Sequence, residues 1–153
     1  MTRLTHRALL FAGLLTPFAA TAQPIQAEQP WARATAPQQK TGGAYVTLTS
    51  SAGDRLLGGS SPAAARVELH EMQVDGTVMR MRELADGLPL PAGQTVAMAP
   101  GSYHLMLVDL KQPLVAGQTV PVQLRFRDAP PMEVLMQVAP VGAQGPAKPG
   151  HGH

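Results

Sequence analysis

Residues 67–84 read VELHEMQVDGTVMRMREL, and their reading decides the fold. Side chains alternate between two classes on either side of Asp75-Gly76, a dipeptide that favours a two-residue hairpin turn of type I′. A period of two is the strand period, so the stretch predicts two antiparallel strands rather than a helix. If Val74 pairs with Thr77, His70 lies opposite Met81 and Met72 lies opposite Met79. Directly opposed residues share a face, with Cβ atoms ~4.5–5.5 Å apart. One face of this hairpin then carries one imidazole and three thioethers. The other carries Leu69, Glu71, Arg80 and Arg82.

The same short-period pattern extends outward in both directions. Strands are expected near Gln29–Ala34, Ala44–Thr49, Asp54–Gly58, Arg66–Val74, Thr77–Leu84, Gln94–Met98, Tyr103–Leu110, Thr119–Arg127 and Met132–Val138. Gly, Pro, Asp and Ser punctuate them, and no segment carries a long 3.6-residue apolar period. About nine short strands of this kind imply an all-β Greek-key sandwich or barrel. Trp31, the single tryptophan, is expected to bury its ring at one end of the core.

Residues 1–22 have the layout of a cleavable signal peptide. Arg3 and Arg7 form a basic start, ALLFAGLL is an apolar run, and Ala20-Thr21-Ala22 is a small-residue cleavage site. The run falls short of the ~20 apolar residues that span a bilayer, and no later stretch approaches that length. Residues 23–138 are the expected β domain, and residues 139–153, APVGAQGPAKPGHGH, an expected flexible Pro/Gly-rich tail. The whole-chain excess of +2 equals the contribution of Arg3 and Arg7, so the mature chain is close to neutral. Nucleic acid demands a basic footprint that is missing here. With Cys 0, there is no disulfide, no thiolate nucleophile and no thiolate ligand. Any bound metal must be held by His, Met or carboxylate.

Residues 101–110, GSYHLMLVDL, supply a second pair of such donors. On a strand, His104 and Met106 project together while Leu105 and Leu107 point the other way. Only His70 and His104 lie in the expected folded region, and each is followed two residues later by a methionine. Five methionines fall between positions 72 and 106. A single methionine in a β protein is more often a filler of irregular core gaps, and Met98, Met132 and Met136 are assigned that role. Two His-x-Met pairs with a facing methionine fit a soft metal better. Neutral thioether and imidazole suit Cu(I), and unlike thiolates they survive an oxidising compartment. His151 and His153 at the tail tip can bind Cu(II) weakly, although a solvated terminus explains them equally well.

PWARAT near Pro30, DRLLGGSSPAAARVELHEM, GTVMRMREL, LPLPAGQTVAMAPGSYHLMLVDLKQPL and VPVQLRF together resemble the periplasmic copper chaperones of the PCuAC type, over nearly the whole mature chain. The family motif is a His, a Met after ten intervening residues, then a His-x-Met. It maps onto His70, Met81, His104 and Met106. The gap before His104 is one residue longer than the usual motif, and the turn around Ala85–Gly87 is the expected place for the extra residue. The resemblance implies a cupredoxin-like β-sandwich that binds one Cu(I) per monomer in the periplasm. It also implies delivery to the dinuclear centre of cytochrome c oxidase subunit II, sometimes alongside a Sco-type thiol protein. Met72 and Met79 then become secondary or alternate ligands.

General copper handling or tolerance is one competing reading, and a copper-dependent oxidase or oxygenase another. An enzyme would need an open coordination position and groups that orient a substrate, and neither an Asp-His dyad nor a Ser-His arrangement is evident. A histidine-brace oxygenase needs a histidine at the mature N-terminus, and none occurs between His6 and His70. The expectation is therefore a carrier and not an enzyme.

Overall fold

Ten strands and no helix make up the computed structural model, which describes residues 24–147. They are β1 (Ile25–Arg33), β2 (Thr41–Ser50), β3 (Asp54–Ser60), β4 (Ala64–Asp75), β5 (Val78–Glu83), β6 (Leu88–Leu90), β7 (Thr95–Ala97), β8 (Tyr103–Leu110), β9 (Thr119–Phe126) and β10 (Met132–Ala139). The expected signal peptide, His151 and His153 lie outside the described residues.

The strands pair in the order β4-β8-β2-β1-β10-β9-β3, and β3 returns to β4 through Gly59 opposite Val67, which closes a seven-stranded barrel. All of these pairings are antiparallel except β1 with β10. Closure removes two of the edges that an open sandwich would expose. Three strands are appended outside the closed ring: β5 on β4, β6 on β3 and β7 on β2. The all-β cupredoxin-like expectation holds, with a barrel as its form. Strand β6, reading LPL, is the element the periodicity missed. Three residues containing a proline give too short a pattern to register.

The barrel interior is filled by alternate residues of each strand, among them Leu48, Leu56, Leu105, Leu107, Val122, Leu124 and Met136, each at most 1 % exposed. Each fully buried aliphatic side chain stabilises the fold by roughly 1.5–3 kcal/mol. Leu105 and Leu107 thereby fix which way β8 faces. Met98 and Met136 are buried and Met132 packs against the core, as expected of gap fillers.

Trp31 is buried, as expected, and belongs to the core cluster. In β1 the register shifts between Glu28 and Trp31, at a bulge where Gln29 adopts φ 49°. Beyond it, Ala32, Ala44, Leu105 and Leu69 share the barrel interior, so their neighbours Trp31, Tyr45, His104 and His70 share the opposite face. Trp31 stacks on Tyr45 there, with ring centroids 4.5 Å apart.

The hairpin register differs from expectation. Asp75 pairs with Val78, leaving Gly76-Thr77 as the two-residue loop, with Gly76 at φ 63°. A type I′ turn on Asp75-Gly76 needs positive φ at both central positions. Placing glycine first in the loop instead matches the type II′ requirement, and it asks for positive φ at no side-chain-bearing residue. Met72 therefore faces Met81, Val74 faces Met79, and His70 faces Glu83. The pairing of His70 with Met81 is corrected by two residues. A slip of two preserves the face on which every side chain lies, whereas a slip of one would reverse it.

The expected flexible tail is in part structured. Ala139 ends β10, and the Ala143 carbonyl accepts two hydrogen bonds from the Arg33 guanidinium at 3.0 and 2.7 Å.

Candidate metal centre

Four strands bring the candidate donors onto one face in successive rows. In the first, β5 and β4 place Met81 opposite Met72, and the Met72 N–H bonds the Ser102 carbonyl of the turn before β8 at 3.1 Å. In the second, His70 lies opposite His104, with ring centroids 5.5 Å apart. In the third, Glu68 lies opposite Met106, and Gly43 of β2 flanks Met106 on the other side. His70, Met81, His104 and Met106 thus lie within three adjoining rows. His70 and Met81 meet diagonally and not head-on.

A cleft of about 260 Å³ opens over these rows, lined among others by Met72, Met81, His104, Met106, Tyr45 and Arg33. Gly43 keeps it open, because a Cβ there would stand 2.9 Å from the Tyr45 hydroxyl. Donor exposure is graded. His104 is 6 % exposed, Met72 and Met106 are half-buried, and Met81 is 49 % exposed.

Burial prepares His104 to donate a lone pair. Burial lowers the His104 pKa below the ordinary histidine value. A hydrogen bond to the Ser102 backbone opposes that shift and His70 adds to it. His104 is therefore neutral at neutral pH. His70 does not line the cleft. Its Nε2 lies 3.0 Å from Oε2 of Glu68, and its Nδ1 is buried with no hydrogen-bond partner. Glu68 is held ionised by the Arg66 guanidinium first and by His70 second, which together lower its pKa. Arg66 in turn bonds Asp109 at 3.1 Å. An ionised carboxylate only accepts, so Nε2 carries the proton and donates it to Glu68. In the tautomer that donates from Nε2, Nδ1 holds the free lone pair. An unpartnered buried nitrogen costs about 1–3 kcal/mol, a cost that a metal ion would remove.

The donor set fits a soft cation. Among the described residues no group of three or more His, Asp or Glu is placed to hold a metal, so hard and borderline ions have no obvious all-N/O shell. Met79 lies one row outside Met81, opposite Val74, at 55 % exposure. His151 and His153 lie outside the described residues. Glu68, Tyr45, Arg33 and Gly43 are parts of the site that sequence reasoning did not reach. The Glu-x-His spacing of Glu68 and His70 was a readable same-face signal. The other three depend on β2 and β1 packing beside β8, which no local pattern announces.

The family profile described as "Putative lipoprotein LpqE-like" matches residues 25–138. The chain belongs to the LpqE-like family. It is 35% identical over 114 residues to "Putative lipoprotein Lxx21020" of Leifsonia xyli subsp. xyli, covering 74% of this chain and 69% of that protein. Among solved structures, it resembles the copper-bound PCuAC domain from PmoF2 at TM-score 0.65 and 27% identity, over 78% of this chain and 96% of that one. It also resembles CuI-DR1885 from Deinococcus radiodurans at TM-score 0.59 and 28% identity, over 76% and 77%. LpqE-like membership and PCuAC-type architecture therefore coincide in one chain, in accord with the motif resemblance. No helix among the described residues is long and apolar enough to cross a membrane.

Proposed function

We propose that this protein is an exported copper carrier that binds one Cu(I) through His70, Met81, His104 and Met106 and releases it to another protein. The observation that carries the reading is the convergence of two imidazoles and two thioethers in adjoining rows beside one cleft, with Met81 half-exposed at its outer side. Neutral nitrogen and sulfur donors favour Cu(I) over harder ions, and an exposed ligand can be displaced by an incoming one. Copper-bound PCuAC structures among the relatives support the same assignment. The signal-like N-terminus and the lipoprotein names in the family support export. The finer reading is periplasmic delivery to the dinuclear copper centre of cytochrome c oxidase subunit II, with a Sco-type thiol protein as a co-worker.

Anaerobic Cu(I) titration against a chromogenic chelator tests the proposal. One tight site is expected, with X-ray absorption counting two sulfur and two nitrogen neighbours. Met81→Leu and His104→Ala should each weaken binding by at least about tenfold, or ~1.4 kcal/mol. Binding by both variants equal to wild type would sink the ligand assignment. Oxygen consumption by the copper-loaded protein would instead mark an oxidase.

A further inference from the structure

Strand β5 poses a question that the barrel does not answer. Its six residues, Val78–Glu83, are all exposed, and it pairs only with β4, outside the closed ring. Methionine is usually kept to fill gaps in a core, yet Met79 and Met81 fill none. They alternate with Arg80 and Arg82, whose side chains pair with Asp75 and Glu71 on the opposite face at 3.6 and 3.0 Å. The two methionines are thereby directed onto the same face as Met72, His70, His104 and Met106.

Along that face the donors form a gradient. Met79 is outermost at the hairpin tip, and the Met72–Met81 pair stands one row inward. His70 and His104 come next, and Met106 is the row beyond. Adjacent rows on one face are two residues apart, about 7 Å along the strand. A methionine has three rotatable side-chain bonds, so two sulfurs in adjoining rows can swing toward one ion between them. Exposure rises outward over the same path, from the buried His104 to the half-exposed Met79.

We propose that Met79 and Met72 form an exchange track, along which Cu(I) moves between the His70–His104 row and the hairpin tip by thioether-for-thioether substitution. This rests on the copper-carrier reading above. Each step forms one copper–sulfur bond as another copper–ligand bond breaks, so copper stays Cu(I) and neither electrons nor protons are transferred. The outer thioether meets the acceptor before the inner ligands let go. Met79 therefore sets the rate of transfer and leaves the resting affinity unchanged.

The test compares wild type with Met79→Leu, Met72→Leu and Val74→Leu, read both as equilibrium affinity and as the stopped-flow rate of Cu(I) transfer to bicinchoninate under anaerobic conditions. Leucine nearly conserves volume, and both methionines lie outside the buried core, so the fold is retained. Met79→Leu is expected to keep affinity within about twofold while slowing transfer by about tenfold or more. Met72→Leu should slow transfer as well. Val74→Leu, at the same tip and on the same face but with no donor atom removed, should transfer at the wild-type rate. Unchanged transfer rates in both methionine variants would overturn the track while leaving the carrier intact. So would a Met79→Leu affinity loss as large as that of Met81→Leu, or equal slowing by Val74→Leu. Absence of Cu(I) binding in the wild type would defeat the carrier reading and the track with it.

Discussion

Glycine 43 shows how one missing side chain makes room for a site. It flanks Met106, and its absent Cβ is what lets the Tyr45 hydroxyl reach over the cleft while the Tyr45 ring stacks on Trp31. Tyr45 is itself buried, which raises its phenol pKa although Arg33 opposes the shift, so it stays a neutral wall. Introducing a side chain must displace Tyr45 or fill the cleft. Gly43→Val is therefore expected to weaken Cu(I) binding by at least about tenfold, with an overpacking cost of about 1–3 kcal/mol. Chelator competition and thermal melts of the metal-free protein measure the two effects. Wild-type affinity in this variant would mean that copper sits elsewhere. Glu68 acts through a different principle: a fixed charge selects which nitrogen of His70 is free.

At the scale of an element, the β4–β5 hairpin carries most of the information. Its face assignment survived a register two residues away from expectation, because strand side chains repeat every two residues. A change of one has the opposite effect. Inserting a single glycine between Thr77 and Val78 is expected to turn Met79 and Met81 to the Arg side, or to force a bulge. Either outcome removes Met81 from the cleft. Cu(I) affinity should fall to the level of Met81→Leu. The melting temperature of the metal-free protein should change little, since β5 lies outside the closed barrel. Inserting two glycines at the same place keeps the parity and should restore part of the affinity. Equal affinity for the one-residue and two-residue insertions would contradict the face argument.

For the molecule as a whole, closure of the barrel is reinforced by Asp54, a carboxylate 8 % exposed at the start of β3. Its Oδ1 accepts from the Arg55 and Asp128 N–H groups, at 2.6 and 3.1 Å, and its Oδ2 from the Ala129 N–H at 2.8 Å. Those bonds clip the β9–β10 connection onto β3. Burial opposes ionisation, but the three donors outweigh it, and the Asp54 pKa lies below the ordinary aspartate value. The unfolded chain therefore binds its proton first as pH falls. The stabilisation is complete above pH ~4, the unfolded value, and is lost as pH drops through the lower folded value. Asp54→Ala is expected to cost about 1–3 kcal/mol at neutral pH, because it leaves N–H groups without their acceptor. It should also flatten the acid limb of stability against pH, as read by urea melts from pH 2 to 7, roughly the span in which carboxylates titrate. An acid limb as steep as that of wild type would place the acid sensitivity in other carboxylates.

The sequence alone determined the strand character of nearly every element, the leucine face of β8 and the pairing of His104 with Met106, since alternation is a local property of two or three residues. It also determined that any site must be soft and thiol-free, because composition is not altered by folding. What only the tertiary structure decided is which rows adjoin. His70 meets His104 across β4 and β8, which are separated in sequence by β5, β6 and β7. Tyr45, Gly43 and Arg33 reach the cleft because β2 and β1 close the barrel beside β8. The exact hairpin partner was decided by which loop residue could take positive φ, and strand parity left two registers equally acceptable. Long-range pairing reflects the packing of the whole core, and no short stretch encodes it.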